Sequence, residues 1–268
     1  MREELMNRLY WSIQEGSGPL VATAIHDGHR LRDDVAQALA LSEHQRLREE
    51  DPYTGAWTSV ADTRIVAHNS RFQVDLNRSR GEAVYRRPED AWGLPLWHRE
   101  PTRALIRRSL EEYDAFYAEL KRVLSSVQAR HPLFVVYDLH SYNHRRDGAD
   151  APAADPEANP EVNVGTGTLD RERWAPVVDR FIDGLSAFDF LGRRLDVREN
   201  VKFRGGHLSN WIHENFADSA CVLAIEFKKF FMDEWTGRLD EKAHEAIDQA
   251  LRSTIPGVLA ALNEVTGG

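Results

Sequence analysis

An apolar run that stops abruptly on ionisable side chains is the feature that most constrains this chain. Residues 133–137 read Leu-Phe-Val-Val-Tyr, and Asp138, His140, His144 and Arg146 follow within a few positions. Continuous hydrophobics are typical of a strand buried on both faces of an α/β sheet, and ligands collect where such strands end. We therefore interpret the stretch as a strand that delivers a catalytic or metal site, with a well-satisfied polar strand end as the alternative.

A second apolar run also ends on histidine. Residues 20–25 are Leu-Val-Ala-Thr-Ala-Ile, and His26, Asp27, Gly28 and His29 come directly after them. Gly28 allows the backbone to turn sharply beneath these side chains. Histidines that cap turns on a wet surface are the competing interpretation, but two strands with the same ending favour a site.

A third apolar run, residues 220–225, ends on Glu226. A carboxylate at the end of a fully apolar strand is costly to bury unless it is paired, bound to a metal or functional. Pairing with Lys228 or Lys229 would be the structural explanation. We expect Glu226 to be functional.

The order of the remaining segments predicts an α/β protein. Residues 1–15 resemble a short amphipathic lead-in, and residues 149–173 form a long connection rich in Pro, Asp, Ala and Gly, of the kind that serves as a lid or binding loop. Helical patterns alternate with further short strands at 64–67 and 195–201; the helical segments are 31–48, 102–128, 174–185, 208–215 and 240–262. Helix and strand in alternation favour layered α/β architecture.

Composition restricts the function classes. The 268 residues carry a net charge of −9, which argues against a nucleic-acid or anionic-membrane surface as partner. The single cysteine, Cys221, excludes a disulfide framework and a thiolate zinc site, so His, Asp and Glu are the available metal ligands. Without an apolar leader or a run of about 20 apolar residues, we expect a cytoplasmic protein.

An acidic triplet, Glu49-Glu50-Asp51, precedes Pro52. Asp51 followed by proline is a sufficient helix N-cap with proline at the first helical position. Alternatively, a carboxylate here completes a metal site with two histidines, since catalytic zinc commonly takes three N/O ligands and leaves a position for water. Spacing alone leaves both interpretations open.

Arginine is concentrated in residues 71–80 of this acidic protein. Its planar fork suits a carboxylate, so Arg71 and Arg78 are candidates to hold an anionic substrate. Ordinary ion pairing with Asp75 or Glu82 is the alternative.

Taken together, these blocks resemble the N-formylglutamate amidohydrolase (N-formylglutamate deformylase) family. The resemblance spans about residues 20–237, and the blocks occur in the order of the family; they are Ile25-His26-Asp27-Gly28-His29, residues 49–55, Ser70-Arg71-Phe72, Asp75-Leu76-Asn77-Arg78, Asp138-Leu139-His140-Ser141, Phe203-Arg204-Gly205-Gly206 and Ala224-Ile225-Glu226. The family is similar in fold to zinc carboxypeptidases and aspartoacylases. The resemblance thus implies one catalytic domain over residues 1–268, a three-layer α/β/α structure with a mixed central sheet.

The resemblance also implies roles for particular residues. His26 and His140 would bind one zinc ion together with Glu50 or Asp51, and Glu226 would be the general base. Carboxypeptidases place a ligand glutamate three residues after the first histidine, where this chain has His29. The choice of third ligand therefore stays open. We expect Asp138 and His29 to orient the ligands from behind.

The implied reaction is metal-dependent hydrolysis of the amide bond of an N-acyl amino acid, a small anionic substrate, with N-formyl-L-glutamate as the leading candidate. Side chains expected to contact this substrate are Arg71, Asn77, Arg78, His144, Arg146 and Arg204. Residues 142–146 and the pair Lys228-Lys229 look like those of a divergent branch of the family. The acyl group or the amino acid of the substrate can therefore differ from those of N-formyl-L-glutamate. Alternatives are a carboxypeptidase-like peptidase and a non-catalytic ligand-binding homologue.

Overall fold

A mixed sheet of seven strands organises the part of the chain that the structure, a computed structural model, describes, which is residues 10–265. The strands are β1 (Trp11–Gln14), β2 (Leu20–Ala24), β3 (Thr63–Ala67), β4 (Phe134–Tyr142), β5 (Val162–Gly165), β6 (Val197–Glu199) and β7 (Ala220–Lys228). Their spatial order is β1-β3-β2-β4-β7-β5-β6. The central strands β3, β2, β4 and β7 are parallel, and β1 and β5 pair antiparallel to their neighbours β3 and β7.

Seven α-helices accompany the sheet within residues 10–265. They are α1 (Asp33–Ala38), α2 (Glu43–Glu49), α3 (Thr54–Trp57), α4 (Arg103–Arg130), α5 (Ala175–Ala187), α6 (His207–Asn215) and α7 (Glu241–Val265), and short 3₁₀ turns lie at Thr58–Val60 and Pro88–Ala91. None of these helices has both the length and the apolar composition required to cross a bilayer.

Helices cover the central sheet on both faces, so that all nine residues of β4 are buried. Side chains of β4 alternate between the two cores. Phe134 and Val136 pack with α4 and α6, whereas Val135 and Tyr137 pack with α5 and α7. The predicted three-layer α/β/α arrangement is confirmed.

Residues 31–48, expected to be one helix, form two. Helix α1 ends at Ala38 because the backbone of Leu39 is extended, and α2 begins after Ser42. Ser42 and Gln45 form a reciprocal capping box, which marks the start of α2. The helical period of apolar residues continues across this boundary, so the periodicity alone did not indicate it.

Two strands lie where the sequence suggested none. Within the expected lead-in at 1–15, residues 1–9 lie outside the described residues, and Trp11–Gln14 forms β1. In the long connection at 149–173, Val162–Gly165 forms β5 and pairs with β7. Both strands have four residues, too few to establish a period.

A buried histidine joins α6 to the sheet. His213 is 8% exposed; its Nε2 accepts the backbone N–H of Val222 at 3.1 Å, and its Nδ1 lies 2.9 Å from Thr168 Oγ1. Since Nε2 accepts, Nδ1 carries the proton and the ring is neutral. Burial lowers the pKa of His213 from 6.5 to about 4.

This histidine should make stability depend on pH. Between about pH 4 and 6.5 the unfolded chain binds a proton at His213 that the folded protein does not. The stability contributed by the neutral ring is therefore complete above that window and declines on acidification, by about 3 kcal/mol. His213→Gln keeps an acceptor for Val222 but cannot titrate. Urea unfolding across the window should show the difference between wild type and variant shrinking as pH falls; a difference that is constant with pH would contradict this assignment.

Candidate metal centre

Three neighbouring parallel strands bring polar side chains to one edge of the sheet. His26 follows β2, His140 lies near the end of β4, and Glu226 lies near the end of β7. His140 and Glu226 are direct partners in the register of β4 and β7. Because the strands are parallel, their carboxyl ends meet, and the three predicted side chains come together at that edge.

Two histidines and one carboxylate form a buried group of potential metal ligands. Ligand atoms of His26, Asp51 and His140 all lie within 4.8 Å of one another, and each residue is at most 3% exposed. Asp51 Oδ2 lies 3.4 Å from Nδ1 of His26 and 3.0 Å from Nδ1 of His140. This donor set is typical of a catalytic zinc site with an open position, so the residues fit a divalent cation.

A further carboxylate stands behind each histidine. Nε2 of His26 lies 2.7 Å from Asp75 Oδ1, and Nε2 of His140 lies 3.1 Å from Asp138 Oδ2. Asp138 is itself held by Thr23 on β2, whose hydroxyl donates to Asp138 Oδ1 at 2.7 Å. Both Nδ1 atoms face Asp51. A carboxylate on Nε2 favours a proton there, so a bound cation would take the Nδ1 lone pairs of both rings.

The three carboxylates of the acidic triplet have different partners. Glu49 accepts from Arg146 at 3.0 Å, Glu50 contacts His29 and Ser70, and Asp51 joins the two histidines. Only Asp51 belongs to the three-residue group.

Asp51 does not cap a helix with its side chain. Helix α3 begins at Thr54, and the residue before it, Tyr53, has no capping side-chain bond. Burial alone would raise the pKa of the Asp51 carboxyl, but hydrogen bonds with His140 and His26 outweigh that effect and hold the pKa well below its usual range. An ionised, buried carboxylate beside two imidazoles is a suitable anionic metal ligand.

Asp75 connects the histidine to a polar network. Besides His26, it accepts from Arg71 Nη2 at 2.9 Å, from the backbone N–H of Asn77 at 2.8 Å and from the hydroxyl of Tyr85. Burial would raise the pKa of Asp75, but the charge of Arg71 and the bond to His26 lower it well below its ordinary value. Asp75 therefore stays ionised and keeps His26 in place.

The guanidinium of Arg71 is largely committed to this support. It donates to Asp75, to Tyr85 OH at 3.1 Å and to the carbonyl of Glu49 at 3.3 Å. Arg71 lines the cavity over the metal ligands, as expected, but its hydrogen bonds go to the protein. Of the two interpretations drawn from sequence, ion pairing with Asp75 is the one that the contacts display.

A cavity of about 390 Å³ opens above the three ligands. Its wall contains His26, Asp51, His140 and Glu226, together with six cationic side chains; these are Arg71, Arg78, Arg146, Lys202, Arg204 and Lys229. Among the described residues, the acidic groups on the wall are Glu49, Asp51 and Glu226. The excess of cations favours an anionic ligand.

Asn77 and Arg78 form one side of this cavity with a glycine turn. Oδ1 of Asn77 accepts the backbone N–H of Leu208 at 2.9 Å, in the first turn of α6. A Cβ at Gly206 would lie 2.3 Å from that amide, so only glycine allows the approach. Arg78 keeps a side-chain exposure of 44%, and its Nε lies 3.8 Å from Asp75. Its guanidinium is thus available to a ligand.

Glu226 is partly accessible from the cavity and is not neutralised by a neighbouring lysine. Lys228 donates to the carbonyl of Asn159, and Lys229 donates to the carbonyls of Arg48 and Glu50. Burial is the main cause that raises the pKa of Glu226 to about 7, with the charge of Asp51 adding to it and the ring of His140 opposing it. A carboxyl that titrates near neutral pH can both accept and return a proton.

The other predicted residues divide between this cavity and its surroundings. Arg146 and Arg204 line the cavity, and within residues 10–265 the guanidinium of Arg204 makes no hydrogen bond or ion pair. His144 lines two adjacent cavities instead, and its backbone N–H donates to Glu234 at 2.8 Å. His29 pairs with Glu50 away from the histidine ligands, so Asp75 occupies the orienting position that the sequence suggested for His29.

The charged side chains of the site that were not predicted for it are Glu49, Asp75, Lys202 and Lys229. Asp75 was considered as an ion-pair partner of the arginines and stood in one of the family blocks, but it was assigned no role at the site. Its position two and three residues before Asn77 and Arg78 could have indicated a role at the site, because those two residues were the candidates to bind the substrate carboxylate. Lys202 precedes the glycine turn, and no pattern in the sequence distinguishes it from a surface lysine.

Comparison with known proteins identifies the family of this chain. The chain matches a family model described as N-formylglutamate amidohydrolase over residues 18–232. A comparison with curated protein sequences gave no significant match.

Two solved structures resemble the whole described fold. An N-formylglutamate amidohydrolase from Ralstonia eutropha JMP134 has a TM-score of 0.72 and 19% identity, over 97% of this chain and 99% of that chain. The gene product Atu2144 from Agrobacterium tumefaciens has a TM-score of 0.68 and 16% identity, over 95% and 96% of the two chains. At these identities the two structures support the fold, and the family model, which covers most of the sequence, supports the family. The chain belongs to the N-formylglutamate amidohydrolase family.

Proposed function

We propose that this protein is a zinc-dependent amidohydrolase that cleaves the amide bond of an N-acyl amino acid, with N-formyl-L-glutamate as the leading substrate. The observation that carries the proposal is the buried group of His26, Asp51 and His140, with Glu226 beside it on the next strand. Membership of the family supports hydrolysis of a non-peptide amide. The donor set supports zinc as the metal.

His26, Asp51 and His140 would hold the cation through two Nδ1 atoms and a carboxylate. A divalent cation supplies Lewis acidity there, which activates water and polarises the acyl oxygen. Asp75, which is hydrogen-bonded to His26, and Asp138, which forms an ion-pair contact with His140, would hold the two imidazole rings in the ligand orientation.

Glu226 would handle the protons of the reaction. Its carboxylate takes a proton from the attacking water and then gives it to the amide nitrogen, so that the amino acid leaves as an amine. The position of Glu226, directly across from His140 in the paired strands, supports this role.

Asn77 and Arg78 would bind the carboxylate of the amino acid. Arg78 is exposed to the cavity and has only a long contact of 3.8 Å to Asp75, so it can form an ion pair with a ligand. Holding the carboxylate fixes the acyl group relative to the metal and Glu226, which lowers the entropic part of the barrier. The further cations on the wall, Lys202 and Arg204, are compatible with a second carboxylate such as that of glutamate.

Removal of the base tests the proposal directly. We expect wild-type protein to contain one equivalent of zinc and Glu226→Gln to retain it while losing at least about 100-fold in kcat for N-formyl-L-glutamate. The wild-type rate should fall on acidification, as Glu226, whose pKa is raised to about 7, becomes protonated; a bound cation moves this limb to lower pH. The exposed Glu245→Gln on α7 serves as the matched control. Wild-type protein without metal, or a Glu226→Gln variant that hydrolyses N-acyl amino acids at full rate, would refute the mechanism.

Loss of the arginine fork should weaken substrate binding. Arg78→Gln removes a charged hydrogen bond to the carboxylate, which is worth about 2 kcal/mol or roughly 30-fold in kcat/KM. Arg80→Gln is the control, because Arg80 pairs with exposed Asp114 at 2.7 Å. Amidation of the substrate α-carboxylate should lower the kcat/KM of the wild-type enzyme by about the same factor. The same amidation should lower the kcat/KM of the Arg78→Gln variant little further. Steady-state kinetics measures both effects. An unchanged kcat/KM in Arg78→Gln would remove this residue from the substrate site.

A further inference from the structure

A buried lysine lies behind the third candidate ligand. Lys229 is 1% exposed and directly follows β7, three residues after Glu226. Its backbone N–H donates to the carbonyl of Tyr142 at the end of β4, at 3.0 Å. The residue is therefore fixed to the two strands that carry His140 and Glu226.

The ammonium of Lys229 donates its hydrogen bonds to backbone carbonyls. Nζ donates to the carbonyl of Arg48 at 2.6 Å and to that of Glu50 at 2.7 Å. Within residues 10–265, no carboxylate lies within ion-pair distance of this ammonium. Burying a full charge to bind two carbonyls is costly, so the contact needs a compensating benefit.

The two carbonyls belong to the end of helix α2 and to the residue beside Asp51. Helix α2 ends at Glu49, and the last carbonyls of a helix lack partners within it. A cation satisfies them and interacts favourably with the helix dipole. By holding the carbonyls on either side of Glu49, Lys229 fixes the direction in which the chain enters Asp51.

Other contacts also hold this segment: Arg71 donates to the carbonyl of Glu49 at 3.3 Å, and Ser70 donates to the carboxylate of Glu50. The backbone N–H of Asp51 donates to the carbonyl of His26 at 2.9 Å, which ties Asp51 to the first histidine. Lys229 ties the same segment to the strands that carry His140 and Glu226. Burial lowers the pKa of Lys229 from its ordinary value, and the charges of Asp51, Glu49 and Glu234 oppose that effect.

We propose that Lys229 is the positioning residue for the metal ligand Asp51. Its ammonium locks the segment from Arg48 to Asp51 onto the strand that carries Glu226, and this sets the Asp51 carboxylate against His26 and His140. The inference rests on the proposed function, because it requires that these three residues bind a metal.

Zinc affinity of the metal-free protein provides the test, measured by competition with a chromophoric chelator. Lys229→Met keeps the length of the side chain and removes the charge and its donors. We expect zinc binding to weaken about 10- to 100-fold, the range for residues that orient ligands. Lys228→Met is the matched control, since Lys228 donates to Asn159 O at 2.8 Å and should leave zinc affinity unchanged.

A double-mutant cycle separates positioning from a general effect on folding. If Lys229 acts through Asp51, Lys229→Met should change zinc affinity by less than about threefold when Asp51→Asn is already present. Equal zinc affinity in Lys229→Met and wild type, or additive losses in the cycle, would overturn the inference. So would failure of both Lys229→Met and Lys229→Gln to fold by circular dichroism, which would make Lys229 a residue of the fold. Wild-type protein that binds no zinc would instead refute the proposed function.

Discussion

The structure depends on the compensation of negative charge buried at one edge of the sheet. Asp51, Asp75 and Asp138 are at most 3% exposed and lie around two histidines. Buried carboxylates are tolerated only when they are paired, hydrogen-bonded or bound to a metal. Arg71 and Tyr85 compensate Asp75, Thr23 holds Asp138, and Asp51 shares two imidazoles. A divalent cation would supply the remaining positive charge at Asp51.

This requirement explains how the site is built in layers. The candidate ligands come from strand ends and one loop, and the carboxylates behind the two histidines, Asp75 and Asp138, do not line the cavity. Because the orienting groups lie on β2, β4 and the segment around Asp75, the geometry of the metal group follows from the packing of the sheet. The excess of cations on the cavity wall, among which Arg78 is exposed and Arg204 makes no ion pair within residues 10–265, favours an anionic ligand.

The sequence was sufficient for those parts of the molecule that local pattern determines. Long apolar runs ending on His26, His140 and Glu226 predicted three strand ends, and parallel pairing brings them together. The alternation of helical and strand patterns predicted an α/β protein, and the resemblance to the family implied its three layers. Short elements such as β1 and β5, with four residues each, carry too little pattern for prediction.

Contacts between distant segments could not be predicted from the residues alone. Glu50 and Asp51 are neighbours with similar chemistry, and their backbone directions decide which of them reaches the histidines. The contact of Asp75 with His26 and that of Lys229 with Glu50 O join residues 49 and 179 positions apart. Such contacts depend on how the strands are ordered, and the sequence contains no local signal for that order.

The central claim is that His26, Asp51 and His140 bind the catalytic metal. Anomalous diffraction at the zinc absorption edge, from crystals of the wild-type protein, tests it most directly. We predict one strong peak bonded to Nδ1 of His26, Nδ1 of His140 and the carboxylate of Asp51. A peak at His29 and Glu50, or zinc-soaked crystals with no peak beside His26 and His140, would contradict the account.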